Sequence, residues 1–217
     1  MKALIIVDVQ NDFCPGGALP VPEGDQIVPI INELIYAGLQ TKNGKFFDYI
    51  VATQDWHPVN HGSFAANHEG KVPGQLIDLD GLQQILWPAH CIQNTPGANF
   101  HKDLNTLFAK VVQKGQDPNV DSYSAFWDNG QRHKTELEEY LRSKNVDEVY
   151  VVGVALDYCC RFTATDAVKA EFKTFLIADA CKAVNAITPN DGDSAIEIMR
   201  EYGVQIIDSN EIFKRCK

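Results

Sequence analysis

The 217-residue sequence lacks any apolar run near the 18 residues that a membrane-spanning helix needs. Its first residues, MKALIIVDVQNDF, hold about six apolar residues before an aspartate, too few for the apolar part of a secretory signal peptide. Repeats, low-complexity tracts and interdomain linkers are also missing. We therefore expect one cytoplasmic domain over residues 1–217, with no membrane partner.

Positive charge is in short supply as well. Lys and Arg total 19 against 29 Asp and Glu, which gives a formal net charge of -10. Nucleic acids and anionic membranes attract basic surfaces, so this balance argues against both as partners. A small-molecule substrate is compatible with an acidic chain.

The six cysteines show neither a CxxC motif nor a regular spacing. A disulfide framework is typical of short secreted chains, which this one does not resemble. We therefore expect free, reduced thiols. They are Cys14, Cys91, Cys159, Cys160, Cys181 and Cys216.

Apolar, β-branched runs alternate with segments of helical periodicity. The predicted strands lie within residues 3–8, 47–55, 107–115, 146–155, 173–180 and 204–209. The predicted helices cover 24–38, 134–145, 159–172 and 190–203. This alternation predicts an α/β fold with a mainly parallel six-stranded sheet and helices on both faces. A long irregular stretch, about 56–106, is typical of functional loops, although its part 70–86 has no clear interpretation.

Four chemically capable side chains follow four of the predicted strands. They are Asp8, Asp55, Lys114 and Cys159. Parallel sheets bind ligands at the carboxyl ends of their strands. Together these four residues predict a site at that edge, although any one of them alone would be a weak signal.

The adjacent cysteines can be told apart by helical phase. A helix starting near Asp157 would place both in its first turn, where the helix dipole favours a thiolate. Cys160 then shares a face with Ala164 and Ala167, which predicts that it points into the core. Cys159 would face the crevice instead. From the residues alone, packing roles for both cysteines are an equally good interpretation.

Asp8 and Lys114 each allow several readings. A carboxylate at the end of a buried strand can be a general base, a metal ligand or a cap, and near a thiol it could accept the proton. A lysine at a strand end is more often solvated. In a crevice with a carboxylate, it would keep that carboxylate ionised.

The segment QDWHPVNHGSF and the later LWPAHC carry a candidate metal site. Asp55 and His57 are two residues apart, so an extended chain places them on one side. With His61 and His90 they would suit Zn²⁺ or Fe²⁺, although loops can also contain histidines without a metal. The remaining histidines lack this context and are interpreted as surface residues: His68, His101 and His133.

Five segments together resemble the nicotinamidase (pyrazinamidase) family of isochorismatase-like cysteine hydrolases. They are IIVDVQNDFCPGGALPVP, ATQDWHPVNHGSFA, LWPAHCIQNTPGA, QKGQDPNVDSYSAF and VGVALDYCCRFTATDA. They occur in the family's order and span residues 1 to about 208. The resemblance implies a Rossmann-like, doubly wound sheet in a single isochorismatase-like hydrolase domain.

The resemblance also implies a role for each matching residue. Cys159 would be the nucleophile, Asp8 the base and Lys114 the third catalytic residue. The backbone N–H groups of Cys159 and Ala155 would form the oxyanion hole, with Ala155 after a cis peptide. The implied metal ligands are Asp55, His57 and His90. The implied walls of the substrate site are Phe13, Trp87 and Tyr123.

Two nearby residues are less settled by the resemblance. His61 is open as a fourth metal ligand, because family members differ in whether they have one. Cys160 often corresponds to a valine in relatives, which agrees with a packing role.

The implied activity is hydrolysis of nicotinamide to nicotinate and ammonia through a cysteine thioester, in NAD salvage. Pyrazinamide is expected as a second substrate, and one divalent metal ion, Zn²⁺ or Fe²⁺, as the cofactor. The alternatives are another isochorismatase-like cysteine amidohydrolase, a metallohydrolase in which metal-bound water attacks, and a non-catalytic ligand-binding or thiol-redox protein. A homo-oligomer is left open.

Overall fold

The computed structural model describes residues 1–39 and 44–216. The strands among these residues are β1 (Lys2–Val7), β2 (Tyr49–Asp55), β3 (Leu76–Leu79), β4 (Leu82–Ile85), β5 (Ala109–Lys114), β6 (Glu148–Val154), β7 (Lys173–Lys182) and β8 (Gln205–Ile207). The helices are α1 (Val28–Leu39), α2 (Leu137–Ser143), α3 (Arg161–Lys169), α4 (Asp191–Tyr202) and α5 (Ser209–Cys216).

Six strands form one sheet in the order β5-β2-β1-β6-β7-β8, and every pairing in it is parallel. The chain builds outward from β1 through β2 to β5, then returns to β6 on the other side of β1. This reversal between β1 and β6 opens a crevice at their carboxyl ends, where ligands bind in doubly wound sheets. The predicted fold class is confirmed.

The side chains of β1 alternate between two hydrophobic cores, one on each face of the sheet. Leu4 and Ile6 point to the face covered by α1 and α5, while Ile5 and Val7 point to the face covered by α2, α3 and α4. All four side chains are fully buried. A strand buried on both faces has to be apolar throughout, which explains the run ALIIV.

The structure differs from the predicted elements at several ends. The predicted helix 24–38 is a short 3₁₀ turn, Gly24–Ile27, followed by α1, whose second residue is Pro29. Proline lacks an N–H and is tolerated only in the first turn, so the α-helix begins there. The predicted helix 134–145 is the shorter α2 in the structure, and α5 is an additional helix that the sequence pattern does not predict. A π turn, Leu156–Cys160, precedes α3.

The stretch 70–86 contains an antiparallel hairpin of β3 and β4, separate from the main sheet. Asp80 and Gly81 form its two-residue turn with φ of 50° and 83°. Two left-handed residues make the turn that matches the twist of a hairpin, and Asp-Gly is a preferred pair for it. Arg132 pairs with the Asp80 carboxylate and fixes the hairpin to the loop before α2. Among the described residues, no helix is long and apolar enough to cross a membrane.

Gly153 allows β6 to pack against β1, and replacing it by alanine should destabilise the fold severely. Its φ is +122°, and an added Cβ would lie 2.1 Å from the carbonyl oxygen of Val7. We expect Gly153→Ala to lower the free energy of unfolding by about 3 kcal/mol or more. Gly203→Ala is the control, because Gly203 has a φ of +96° but open space around it, so only about 1 kcal/mol should be lost. Urea unfolding of both variants measures the difference, and equal losses would contradict the steric argument.

Candidate active site

Lys114 lies at the centre of a buried ionic cluster at the end of β5. Its Nζ is 2.9 Å from Asp8 Oδ2 and 2.5 Å from Asp55 Oδ1, and it donates to the carbonyl of Ser122 at 2.8 Å. The Sγ of Cys159 lies 3.5 Å away. The four side chains predicted at the strand ends are therefore in one cluster. Since Lys114 is buried, its interpretation as a solvated lysine is wrong.

Asp8 sits where β1 ends, in a left-handed backbone conformation with φ of 50°. Its Oδ1 accepts a hydrogen bond from Thr53 Oγ1 at 2.6 Å, and a carboxylate oxygen lies within 4.8 Å of Cys159 Sγ. Burial raises the pKa of Asp8, and Asp55 raises it further, against the opposing charge of Lys114. A carboxylate with a raised pKa beside a thiol is suited to accept a proton.

Cys159 lies on the π turn that connects β6 to α3. Burial raises the pKa of its thiol well above the ordinary value, Lys114 opposes this, and the carboxylates of Asp8 and Asp55 add to it. With these side chains alone, the resting group is a thiol. Burial and the two carboxylates thus act against the thiolate that the start of a helix favours. The proton must leave during the reaction, and Asp8 is placed to take it.

Cys160 differs from its neighbour in what it faces. Both cysteines belong to the core cluster that contains Ala164 and Ala167, but Cys160 is fully buried, and burial raises the pKa of its thiol. Cys159 is also buried but lines the cavity at the sheet edge, which Cys160 does not. The positions agree with the directions predicted from helical phase.

Asp55, His57 and His90 converge on one point. Asp55 Oδ2 lies 3.5 Å from His57 Nε2 and 3.8 Å from His90 Nε2. Both histidines use Nδ1 on a backbone carbonyl: His57 on Gly115 at 2.7 Å and His90 on Pro88 at 2.8 Å. With Nδ1 donating, each Nε2 lone pair faces Asp55, which is how histidine ligands are held in metal sites.

The charges of this triad also suit a divalent cation. Despite burial, Lys114 and His57 hold the pKa of Asp55 well below its usual range, so the carboxylate is ionised. Despite burial, Asp55 raises the pKa of His57, so the site attracts positive charge. One carboxylate and two imidazoles form a donor set that Zn²⁺ and Fe²⁺ both accept. A Cβ at Gly115 would lie 2.4 Å from the His57 ring, so glycine is needed there.

His61 lies beside this triad with a different arrangement. Its Nδ1 is 2.7 Å from Ser63 Oγ, and its buried Nε2 has no hydrogen-bond partner. Burial and the neighbouring His57 lower the pKa of His61 to about 4, so its ring is neutral. It groups with His57 and Asp121 rather than with the predicted triad.

A narrow cavity of about 40 Å³, here called the slot, opens onto Cys159 and onto two members of the triad, Asp55 and His90. Five residues predicted from the sequence line it together with Asp55 and His90: Phe13, Trp87, Tyr123, Ala155 and Cys159. Asp8, Lys114 and His57 lie behind this surface. The peptide bond between Val154 and Ala155 is cis, as the family resemblance implied. Aromatic walls and little volume suit one flat ring.

Several residues of the slot were not predicted from the sequence. Asp121 and Tyr158 line the slot, and Gln84 contacts two of its lining residues from behind. Gln84, on β4, donates to Asp121 Oδ2 at 3.0 Å and to Tyr123 Oη at 3.3 Å. Trp87 Nε1 donates to the same hydroxyl at 3.2 Å. The hairpin therefore holds one wall of the slot. The Asp-Gly turn in LIDLDGLQQI could have revealed the hairpin from the sequence.

Comparison with known proteins gives consistent matches. The isochorismatase domain family matches residues 2–211. A nicotinamidase of Escherichia coli (strain K12) is 48% identical over 208 residues, covering 94% of this chain and 93% of that protein. A solved nicotinamidase and pyrazinamidase structure from Acinetobacter baumanii is 46% identical, with a TM-score of 0.89 and 97% of each chain covered. A Pyrococcus horikoshii pyrazinamidase solved in complex with zinc is 42% identical, with a TM-score of 0.75, covering 95% of this chain and 98% of that one.

Proposed function

Because the chain belongs to the isochorismatase-like hydrolases and, within them, to the nicotinamidases, we propose that it hydrolyses nicotinamide to nicotinate and ammonia. One observation carries this proposal. Cys159, Asp8 and Lys114 form a contiguous cluster behind an aromatic slot, and the Asp55–His57–His90 triad borders the same slot. The slot fits a flat ring, and the cluster provides a nucleophile with its base.

The reaction begins with transfer of the Cys159 proton to Asp8 as sulfur attacks the amide carbon. The backbone N–H groups of Ala155 and Cys159 stabilise the oxyanion, with each donor worth about 3 kcal/mol. Asp8 then returns the proton to the departing nitrogen, so ammonia leaves and a thioester remains. A water molecule, deprotonated by Asp8, hydrolyses the thioester to nicotinate and restores the thiol.

Lys114 compensates the charge of Asp8 and Asp55 in a buried place. Two carboxylates contact its ammonium group. Burial lowers the pKa of Lys114, but the carboxylate of Asp55 and, less strongly, that of Asp8 raise it well above the usual range. It therefore stays charged throughout the cycle. A constant cation permits Asp8 to gain and lose a proton without leaving an isolated buried charge.

Asp55, His57 and His90 would hold one divalent ion, Zn²⁺ or Fe²⁺. The donor set, the fixed histidine tautomers and the ionised carboxylate all fit such an ion. When bound, it supplies a Lewis acid that holds and orients the pyridine ring. Phe13 and Trp87 pack against the ring, and Tyr123 is fixed by its bond from Trp87, so the carboxamide is presented to Cys159.

Two rival activities make different predictions. Another isochorismatase-like amidohydrolase would share the cysteine cluster, but the buried triad and aromatic slot favour a pyridine carboxamide. In a metallohydrolase, water would attack and no thioester would form. The cluster favours the thioester route, because Cys159 contacts Lys114 and lies close to Asp8.

The test is a substrate comparison with purified, metal-loaded protein. We expect equal amounts of ammonia and nicotinate from nicotinamide, activity on pyrazinamide, and at least about a hundredfold lower kcat/KM with N-carbamoylsarcosine. Acid quench of [¹⁴C]nicotinamide turnover should trap label on the protein as a thioester. Absence of nicotinate formation would refute the proposed substrate, and turnover without trapped label would favour the metal-water route.

The metal site gives a separate prediction. His90→Gln should reduce metal content after dialysis from about one ion per chain to near zero and lower activity more than about 100-fold, since even partners that only orient a ligand are worth about 10–100-fold. His101→Gln is the control, because His101 is partly exposed and bonds the backbone of Asp103. Metal analysis and ammonia release are the measurements. Full activity of metal-free protein would exclude the proposed role.

The proposed setting is NAD salvage in the cytoplasm by a single domain. Nicotinamide is released when NAD is consumed, and its hydrolysis yields an acid that can be returned to the pool. Whether the chain works as a homo-oligomer stays a prediction, and gel filtration with light scattering would decide it.

A further inference from the structure

A second cavity, here called the outer pocket, lies beside the slot. Tyr123 and Tyr158 line both cavities. The volume of the outer pocket is about 390 Å³, within the range of small-molecule sites. The β3–β4 hairpin, the turn before α3 and the start of α4 surround it. The rest of its lining includes Leu76, Ile85, Arg161, Phe162, Ile187 and Ser194.

Arg161 gives the outer pocket a cation that no carboxylate of the described residues pairs with directly. Its side chain is half-buried, and its Nε is fully buried with no hydrogen-bond partner. Within the part of the chain that the structure describes, no carboxylate lies within 4.0 Å of the guanidinium. The terminal nitrogens of this half-buried guanidinium are the donors that a ligand in the outer pocket can reach, and a carboxylate would accept charge-assisted hydrogen bonds from them.

The nearby carboxylates are already engaged. Asp157 accepts hydrogen bonds from the backbone N–H groups of Val184 at 2.9 Å and Asn185 at 2.7 Å. Asp191 accepts two backbone N–H groups of the loop just before α4, at 2.8 and 2.9 Å. These bonds hold both carboxylates on the backbone. Arg161 is thus left to face the cavity.

Aromatic rings flank this cation. The guanidinium of Arg161 lies 4.4 Å from the centre of the Phe162 ring. The Tyr123 and Phe162 rings are 5.4 Å apart with an angle of 38° between their planes, and Tyr158 lies edge-on to Tyr123 at 5.4 Å. Such a surface favours a flat, apolar body next to the charge.

We propose that the outer pocket binds a planar aromatic carboxylate. Arg161 would take the carboxylate, and the rings of Tyr123, Tyr158 and Phe162 would contact the ligand body. Arg161, Asp157 and Asp191 together carry a formal charge of -1, which repels a phosphate dianion more strongly than a monoanion. An uncharged amide would offer Arg161 only one neutral carbonyl acceptor, without the charge and the second oxygen of a carboxylate.

This chemistry distinguishes the product of the proposed reaction from its substrate. Nicotinate is an aromatic carboxylate, and nicotinamide is not charged. The outer pocket would therefore hold nicotinate after it leaves the slot past Tyr158. That assignment of the ligand rests on the proposed function, whereas the affinity for aromatic carboxylates does not.

The test measures binding without turnover. In ¹⁹F NMR titrations of the full-length protein, 4-fluorobenzoate should bind at least tenfold more tightly than 4-fluorobenzamide. Arg161→Gln should weaken 4-fluorobenzoate at least tenfold, and Phe162→Leu, which keeps the charge, at least threefold. Arg200→Gln should change nothing, because Arg200 is exposed on α4 and pairs with Glu197. Phe13→Ala should retain the binding, because Phe13 lines the slot but not the outer pocket and its ring contacts His90.

Nicotinate should displace 4-fluorobenzoate, and inorganic phosphate at the same concentration should not. Equal affinity in wild type and Arg161→Gln would overturn the proposal, as would loss of binding in Phe13→Ala. Displacement by phosphate would make the pocket a general anion site and would also overturn it. Ammonia release from nicotinamide tests the proposed function separately, so a failure of one can be told from a failure of the other.

Discussion

Cys159→Ala should lower the rate of ammonia release from nicotinamide by at least about 10⁴-fold, while Cys160→Ala should stay within about threefold of wild type. The first change removes the group that attacks the amide carbon, and no other thiol lines the slot among the described residues. Loss of a nucleophile that works with its base as a unit costs several orders of magnitude. The second change removes a buried sulfur on the core side.

Cys160→Ala is a matched control because it alters the same residue type one position away. It should cost about 1–2 kcal/mol of stability through the cavity that it leaves, measured by urea unfolding. Initial rates with excess metal give the activity. If Cys159→Ala retained activity within tenfold of wild type, sulfur would not be the nucleophile. If Cys160→Ala were the inactive variant, the two assignments would have to be exchanged.

The site could be located from the sequence because the ends of buried parallel strands can be recognised there. Buried parallel strands are continuous apolar runs, so the polar residue that follows each run marks the sheet edge. This places Asp8, Asp55, Lys114 and Cys159 together without any coordinates. The pattern could not say that Lys114 is buried between two carboxylates, since a strand-end lysine has the same local sequence when it is solvated.

The ionisation of the site depends on three-dimensional packing. One helix start near Cys159 predicts a thiolate, yet in the structure burial and two carboxylates raise its pKa. Those carboxylates come from β1 and β2, more than 100 residues away in sequence. The sum of such distant charges cannot be read from a local motif.

The wall of the slot that the β3–β4 hairpin holds was not predicted from the sequence, for a different reason. It depends on Gln84 and the hairpin, which packs against loops rather than in the main sheet. Its strands are only four residues each and partly exposed, so their hydrophobic pattern is weak. Only the Asp80–Gly81 pair carries a strong local signal, because two adjacent left-handed residues favour Asp and Gly.

Asp8→Asn should lower the rate of ammonia release by about 10³-fold and leave the folded protein intact. The amide has the same shape and can still accept the bond from Thr53, but it cannot take the proton of Cys159. General acid–base groups are typically worth about 10²–10⁴-fold. Burial makes the charge on Asp8 costly, so removing that charge offsets the loss of the ion pair with Lys114. We therefore expect the free energy of unfolding to change by less than about 1.5 kcal/mol.

Lys114→Met is the contrasting variant, because it removes the cation and leaves two carboxylates buried. It should lose about 3–5 kcal/mol of stability, as breaking one side of a buried ion pair does. Urea unfolding, metal content and the rate of Cys159 alkylation by iodoacetamide separate the two effects. In Asp8→Asn, alkylation should be at least as fast as in wild type while metal content stays the same, because a charge that raises the pKa of Cys159 has been removed. Ammonia release by Asp8→Asn within tenfold of wild type would mean that Asp8 does not take the proton of Cys159, and Asp8 would then serve only to pair with Lys114.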